Sequence, residues 1–147
     1  MTRHTTEPLS PIPTIRVVAG AILRDGRVLS AQRPMGTSST IAGMWELPGG
    51  KVDSGETDQQ ALARELMEEL GVQVRVGSFL AEHAIQQATR VIHLLAYQCE
   101  LLAGEPTALE HAELRWLSPD ELRSVPWAAG DQTFLPFIES QLRSLRG

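Results

Sequence analysis

The sequence has a single cysteine, Cys99, among 147 residues, so no disulfide can form within the chain. In its apolar context Cys99 reads as a small buried residue, and a cytoplasmic setting fits. No apolar run reaches the ~18 residues that a membrane span requires, and no charged-then-apolar amino terminus is present. Neither a transmembrane segment nor a signal peptide is expected. Basic residues are outnumbered, 13 Lys and Arg against 18 Asp and Glu, which leaves a formal net charge of −5. That balance argues against a nucleic-acid polymer as partner, because such binders carry a basic patch. Internal repeats, zinc-type Cys/His spacing and low-complexity tracts are also missing, which removes solenoid and zinc-finger architectures.

What remains is ordinary for one globular domain with a real core: 42% hydrophobic and 21% charged residues. Residues 1–13 combine three prolines with Ser and Thr, without periodicity, and read as a flexible lead-in to a domain over 14–147. From Ile15 the tract IRVVAGAIL is rich in strand formers, Asp25-Gly26 is a hairpin turn, and RVLSAQRP resumes the strand. A loop of small polar residues, MGTSSTIAG, then leads through Met44-Trp45-Glu46-Leu47-Pro48 into a glycine turn. Later, VQVRVGSFLAEHAIQ reads as a strand, Ala88-Thr89 as a bend, and Val91 to Tyr97 as a strand buried on both faces. ELRWL is a short strand. Ser118-Pro119-Asp120-Glu121 announces a helix by its cap, its proline and its early acids. A carboxy-terminal helix is expected from about Gln132 to Arg146, with Phe134, Phe137, Ile138, Leu142 and Leu145 on one face. This order favours an α+β or α/β sandwich.

The stretch around which the chain is organised is GGKVDSGETDQQALARELMEELGV, from Gly49 to Val72. Thr57 and Gln60 form a capping-box pattern, Asp58 suits the helix N-terminus, and Gly71 suits a left-handed stop, which predicts a helix over Asp58–Leu70. Leu62, Leu66 and Leu70, with Ala63 and Met67, make an apolar stripe, and Glu65, Glu68 and Glu69 fall on nearly the opposite side. An acidic helix face is usually just solvated. Here Glu65 and Glu69 repel each other at i,i+4 with Glu68 beside them and only Arg64 nearby. A divalent cation would remove that cost, and hard cations prefer oxygen ligands.

Gly50, Glu56, Arg64-Glu65, Glu68-Glu69 and Gly71, at their fixed separations, resemble the Nudix box, the signature of hydrolases acting on a nucleoside diphosphate linked to another moiety. The resemblance implies an α/β/α sandwich around a central mixed sheet and dependence on Mg²⁺, with Mn²⁺ as an alternative. It further implies that Glu65, Glu68 and Glu69 hold the metal with the carbonyl of Gly49, while Glu56 stands behind them and Arg64 orients the carboxylates. Glu110 resembles a glutamate that some relatives supply from an outer loop as general base or extra ligand, and His111 is its rival.

WELPGGKV, the ELRWL tract and Trp127-Ala128-Ala129-Gly130-Asp131 resemble the MutT-like branch, which releases pyrophosphate from nucleoside triphosphates. That resemblance implies a small-molecule nucleotide substrate with an oxidised guanine or a cytosine base. It makes Asp131 the candidate base reader, with an alternative role as helix N-cap. Arg33, Gly50, Lys51 and Trp127 are further candidate substrate contacts; Trp127, Phe134 and Met44 could give a base apolar contact, and each is more in keeping with a core. Other Nudix substrates, such as ADP-ribose, dinucleotides or nucleotide sugars, and a non-catalytic nucleotide sensor remain as alternatives. The chain is expected to be a monomer or a homodimer.

Overall fold

Strand β1, Thr14–Arg24, is the axis on which the other elements are laid. Its side chains alternate across the sheet: Val18 and Ile22 enter one core, Ala19 and Ala21 the other. Asp25 and Gly26 have φ of 53° and 76°, the paired positive values of a tight primed turn, and they return the chain as β2, Arg27–Gln32. A computed structural model describes residues 12–36 and 41–146. Residues 1–11 of the expected lead-in and 37–40 of the small polar loop lie outside the described residues.

Strand β3, Trp45–Glu46, pairs with β2, and β4, Gly49–Lys51, runs antiparallel to β1 at Val17–Ala19. Helix α1, Asp58–Leu70, follows. Strands β5, Gln73–Gln86, and β6, Val91–Ala103, form a long antiparallel hairpin, and β6 lies parallel to β1 from Thr14↔Val91 to Ile22↔Cys99. Strand β7, Glu113–Leu117, joins β2. The mixed sheet reads β3-β2-β1-β6-β5, with β4 beside β1 and β7 beside β2. Helices cover both faces, which is the expected α/β/α sandwich.

Helix α1 covers one face through Leu62, Leu66 and Leu70, all fully buried against Val18, Ile22, Leu95 and Tyr97. Each such leucine contributes roughly 2 kcal/mol of burial. Both halves of the capping box are formed by Thr57 and Gln60, and Gly71 ends the helix at φ 71°. The helix start is fastened to the sheet by Asp58, which accepts two hydrogen bonds from Arg16 at 2.7 and 2.8 Å and one from the Tyr97 hydroxyl at 2.6 Å. Two placements on α1 differ from the sequence reading. Met67 is 44% exposed, while Glu69 is only 7% exposed. At about 100° per residue, Glu69 lies about 60° from Leu66 around the helix axis, so it flanks the apolar stripe and does not oppose it.

The opposite face is closed by a 3₁₀ helix, Pro119–Ser124, then α2, Ala129–Gln132, and α3, Leu135–Arg146. Ser118 and Glu121 make a second capping box. The single terminal helix expected from Gln132 is broken at Thr133–Phe134, because Pro136 has no N–H to reach the carbonyl of Gln132 and is tolerated only in a first turn. Phe134, Leu135, Ile138 and Leu142 are buried, whereas Phe137 and Leu145 point outward. Asp131 is not an N-cap: Ala128 holds that position, and Asp131 sits inside the α2 turn. Cys99 is buried, which pushes its thiol up to about 12. Among the described residues no helix is long and apolar enough to cross a membrane.

Candidate active site

The loop from β4 to α1 is closed by its own charges. Glu56 accepts the Asp53 backbone N–H at 2.9 Å and is clamped through both carboxylate oxygens by Arg64, at 2.8 and 2.9 Å. This planar fork-to-fork pairing, which lysine could not reproduce, holds the Glu56 carboxyl down at about 2. The same guanidinium donates to the Lys51 carbonyl at 3.1 Å, to Glu65 at 3.0 Å and, more distantly, to Glu68 at 3.4 Å. Arg64 therefore ties strand end, loop and acidic helix face into one unit.

Glu65 rests against β4 where only a glycine leaves room. A Cβ on Gly50 would lie 2.4 Å from the Glu65 carboxyl carbon. Glu69, one turn further along α1, is buried beside Glu65 and accepts a long 3.4 Å hydrogen bond from the Gly49 N–H. Its carboxyl is pushed up to about 9, first by burial, then by the neighbouring Glu65, and further by Glu46. Glu68 is the outermost of the three, with its side chain 53% exposed.

Glu69 forms part of a cleft of about 250 Å³ lined also by Arg33, Pro34, Glu46, Gly49, Glu110 and His111. Glu46 is bonded to His111 Nε2 at 2.9 Å and to Arg33 Nη1 at 3.4 Å. Two buried donor or acceptor atoms here, Arg33 Nε and His111 Nδ1, have no hydrogen-bond partner. Asp131 approaches from the other layer, accepting the Leu47 N–H at 2.9 Å. Burial pushes its carboxyl up to about 7, with Glu46 adding to the rise and the Leu47 bond and Arg33 opposing it.

The fold thus gathers Glu56, Arg64, Glu65, Glu68, Glu69, Gly49 and Gly50 at one place, with Arg33 and Glu110 on the cleft wall. Lys51 ends β4, its carbonyl facing Arg64. Trp127 is not brought to the cleft: it is 2% exposed, its indole N–H bonded to the Leu122 carbonyl at 2.6 Å. Phe134 is likewise core, fully buried, and Met44 is half-buried. Glu46 and the buried state of His111 were missed. Strand alternation held the clue for Glu46, because with Trp45 turned into the core its neighbour must face the other way.

Among the described residues no group of three or more acidic, cysteine or histidine side chains stands ready as a metal cage. The donor chemistry nevertheless fits a hard cation. Two carboxylates, one buried, lie side by side with no cation between them except the edge of Arg64. Glu65, Glu68 and Glu69 would hold such an ion.

Comparison with known proteins agrees with this geometry. The NUDIX domain model matches residues 14–138. The chain is 44% identical over 126 residues to the CTP pyrophosphohydrolase of Escherichia coli (strain K12), covering 86% of this chain and 90% of that protein. It is 36% identical over 109 residues to the 8-oxo-dGTP diphosphatase of Haemophilus influenzae, covering 74% and 79% of the two chains. The solution structure of the E. coli ORF135 protein superposes with a TM-score of 0.79 at 42% identity, covering 95% and 98%.

Proposed function

The chain belongs to the Nudix family, and on that premise we propose that it is a MutT-like nucleoside triphosphate pyrophosphohydrolase, converting a triphosphate and water into a monophosphate and pyrophosphate. The observation that carries this reading is the acidic set on α1, with Glu65 fitted against Gly50, Glu69 bonded to the Gly49 N–H and lining a cleft with Arg33 and Glu110 in its wall, and Glu68 at the outer edge. A divalent metal is a general requirement of the family, and Mg²⁺ is the proposed ion, with Mn²⁺ able to substitute. Bound there, it supplies Lewis-acid polarisation of phosphoryl oxygen and a lowered pKa for water.

The chain's own residues set up the rest. Arg64 holds Glu65 and Glu56 at hydrogen-bond distance and so fixes where the metal-holding carboxylates start from. The tight approach at Gly50 lets backbone and carboxylate share a space that a side chain would fill. Glu110, on the cleft wall, is proposed to take the proton of the attacking water. Arg33 supplies positive charge for a phosphate or a base edge.

For the base, Asp131 is the proposed reader. Ionised, it accepts from the cytosine amino group or from guanine N1 and N2, and its tie to Leu47 keeps it next to the segment that carries Glu46. Cytosine and oxidised guanine nucleotides are the substrates in the names of the related E. coli and H. influenzae proteins, respectively. The test is a panel of CTP, dCTP, dGTP, 8-oxo-dGTP and ADP-ribose incubated with Mg²⁺, with products separated chromatographically. Monophosphate and pyrophosphate from cytosine or oxidised guanine triphosphates are expected, with little turnover of ADP-ribose. Preferred cleavage of ADP-ribose would overturn the proposal.

A further inference from the structure

The cleft wall facing α1 contains a buried imidazole for which the reaction described above has no use. The His111 side chain is 7% exposed. Its Nε2 donates to Glu46 at 2.9 Å, while its Nδ1 has no hydrogen-bond partner and lies 4.0 Å from a Glu69 oxygen. The ring therefore stands between two carboxylates, one from β3 and one from α1. Its backbone surroundings are pinned: the Leu109 N–H bonds the Glu69 carbonyl at 3.2 Å, and the Ala112 N–H bonds the Gln32 carbonyl at 2.8 Å. Core filling accounts for the burial but not for the lone Nδ1, since buried polar atoms are rarely left without a partner.

We propose that His111 is a positioning residue that couples the two ends of the cleft, fixing Glu46 through Nε2 and facing Glu69 through Nδ1. The inference rests on the proposed function, in which Glu69 holds the metal and Asp131, tied to the segment that carries Glu46, reads the base. One rigid ring then sets the separation of two carboxylates that would otherwise repel. Arg33 reaches Glu46 at the longer distance of 3.4 Å and does not replace it.

The two ring nitrogens can be tested separately. His111→Gln places an amide nitrogen near the position of Nε2, and His111→Asn places an amide near that of Nδ1. His111→Ala removes both. The measurements are KM and kcat for the best triphosphate, Mn²⁺ affinity of the nucleotide-free protein by electron paramagnetic resonance, and thermal midpoints. His111→Asn is expected to raise KM about tenfold, the effect of losing one hydrogen bond to a charged group, and to keep Mn²⁺ affinity. His111→Gln is expected to keep KM and to weaken Mn²⁺ about tenfold, as loss of an orienting neighbour does. His111→Ala loses both.

Variants indistinguishable from wild type in both readouts, or losses that only follow the thermal midpoint, would overturn the coupling. Equal losses in His111→Gln and His111→Asn would do the same. Absence of turnover by the wild-type chain on every nucleotide would instead defeat the functional reading, and the Mn²⁺ affinities would still decide whether His111 orients Glu69.

Discussion

Two adjacent glycines make opposite predictions, and the contrast tests whether the place occupied by Glu65 matters. A Cβ at Gly50 would meet the Glu65 carboxyl at 2.4 to 2.6 Å, where ordinary contact begins at 3.4 Å. The carboxyl must retreat by about 1 Å, a displacement that costs roughly 10²-fold when it falls on a catalytic arrangement. It is the free end of a side chain, so Gly50→Ala should change stability by less than about 1 kcal/mol, helped by a stiffer unfolded chain. At Gly49 the added Cβ would lie 2.0 Å from the Val18 carbonyl oxygen and 2.8 Å from the Ala19 Cα, both backbone in a paired strand. Gly49→Ala should therefore destabilise by about 3 kcal/mol or more. The assay is pyrophosphate release with the preferred triphosphate, beside thermal melting and Mn²⁺ binding. Wild-type kcat in Gly50→Ala, or an activity loss no larger than its loss of folded protein, would refute the placement of Glu65 in the metal set.

Glu69→Gln should lower kcat by at least about 10²-fold with the fold retained, measured by turnover and circular dichroism. Its pH signature follows from linkage. Glu69 and Asp131 have folded pKa values of about 9 and about 7, above those of ordinary carboxyls, so across that interval the native state binds more protons than the unfolded one. The contribution of these two carboxyls to the stability of the metal-free protein is then full below about pH 4 and lost as pH rises toward about 9. Melting in chelator from pH 5 to 9 should show this fall, and Glu69→Gln should flatten its upper part; a flat wild-type profile refutes it. Asp131→Asn should keep the bond from Leu47 and the stability while reordering the preferred bases. Asp131→Ala should cost about 2 kcal/mol as well, since it orphans a buried N–H. A uniform rate loss across all bases in Asp131→Asn would speak against base reading. Arg64→Lys should lose at least about tenfold in kcat, because an ammonium cannot span Glu56, Glu65 and the Lys51 carbonyl together.

Much of the fold was legible because its signals are local. The Asp25-Gly26 turn, the Thr57–Gln60 capping box and the Gly71 stop each need only neighbouring residues, and each is formed. The chemistry of the site was legible for the same reason, since Glu65, Glu68, Glu69 and Arg64 lie within a little over one helical turn. What the sequence could not rank was burial among those acids. Glu69 is enclosed and Glu68 is open, and that difference depends on how closely Gly49 and the 107–112 loop approach α1, both settled by tertiary packing. Trp127 shows the reverse error. An aromatic beside an expected base reader suggested a contact, yet its indole N–H finds the Leu122 carbonyl and the ring completes the core.

The helix α1 dominates the sequence pattern, but the segment Glu46–Gly50 joins the parts of the site. Glu46 meets His111 and Arg33, Leu47 donates to Asp131, Gly49 donates to Glu69, and Gly50 makes room for Glu65. Pro48 holds the middle through its carbonyl, which accepts the Gly20 N–H from β1 at 2.8 Å. Asp131 reaches this segment from α2, a single turn set off from α3, and its buried carboxylate accepts the Leu47 N–H. A few residues of extended chain thus connect the proposed base reader to the proposed metal ligands through backbone N–H groups, which do not vary with side-chain identity. It follows that a one-residue shift of this segment would displace Glu46, the Leu47 tie to Asp131 and the Gly49 tie to Glu69 at once.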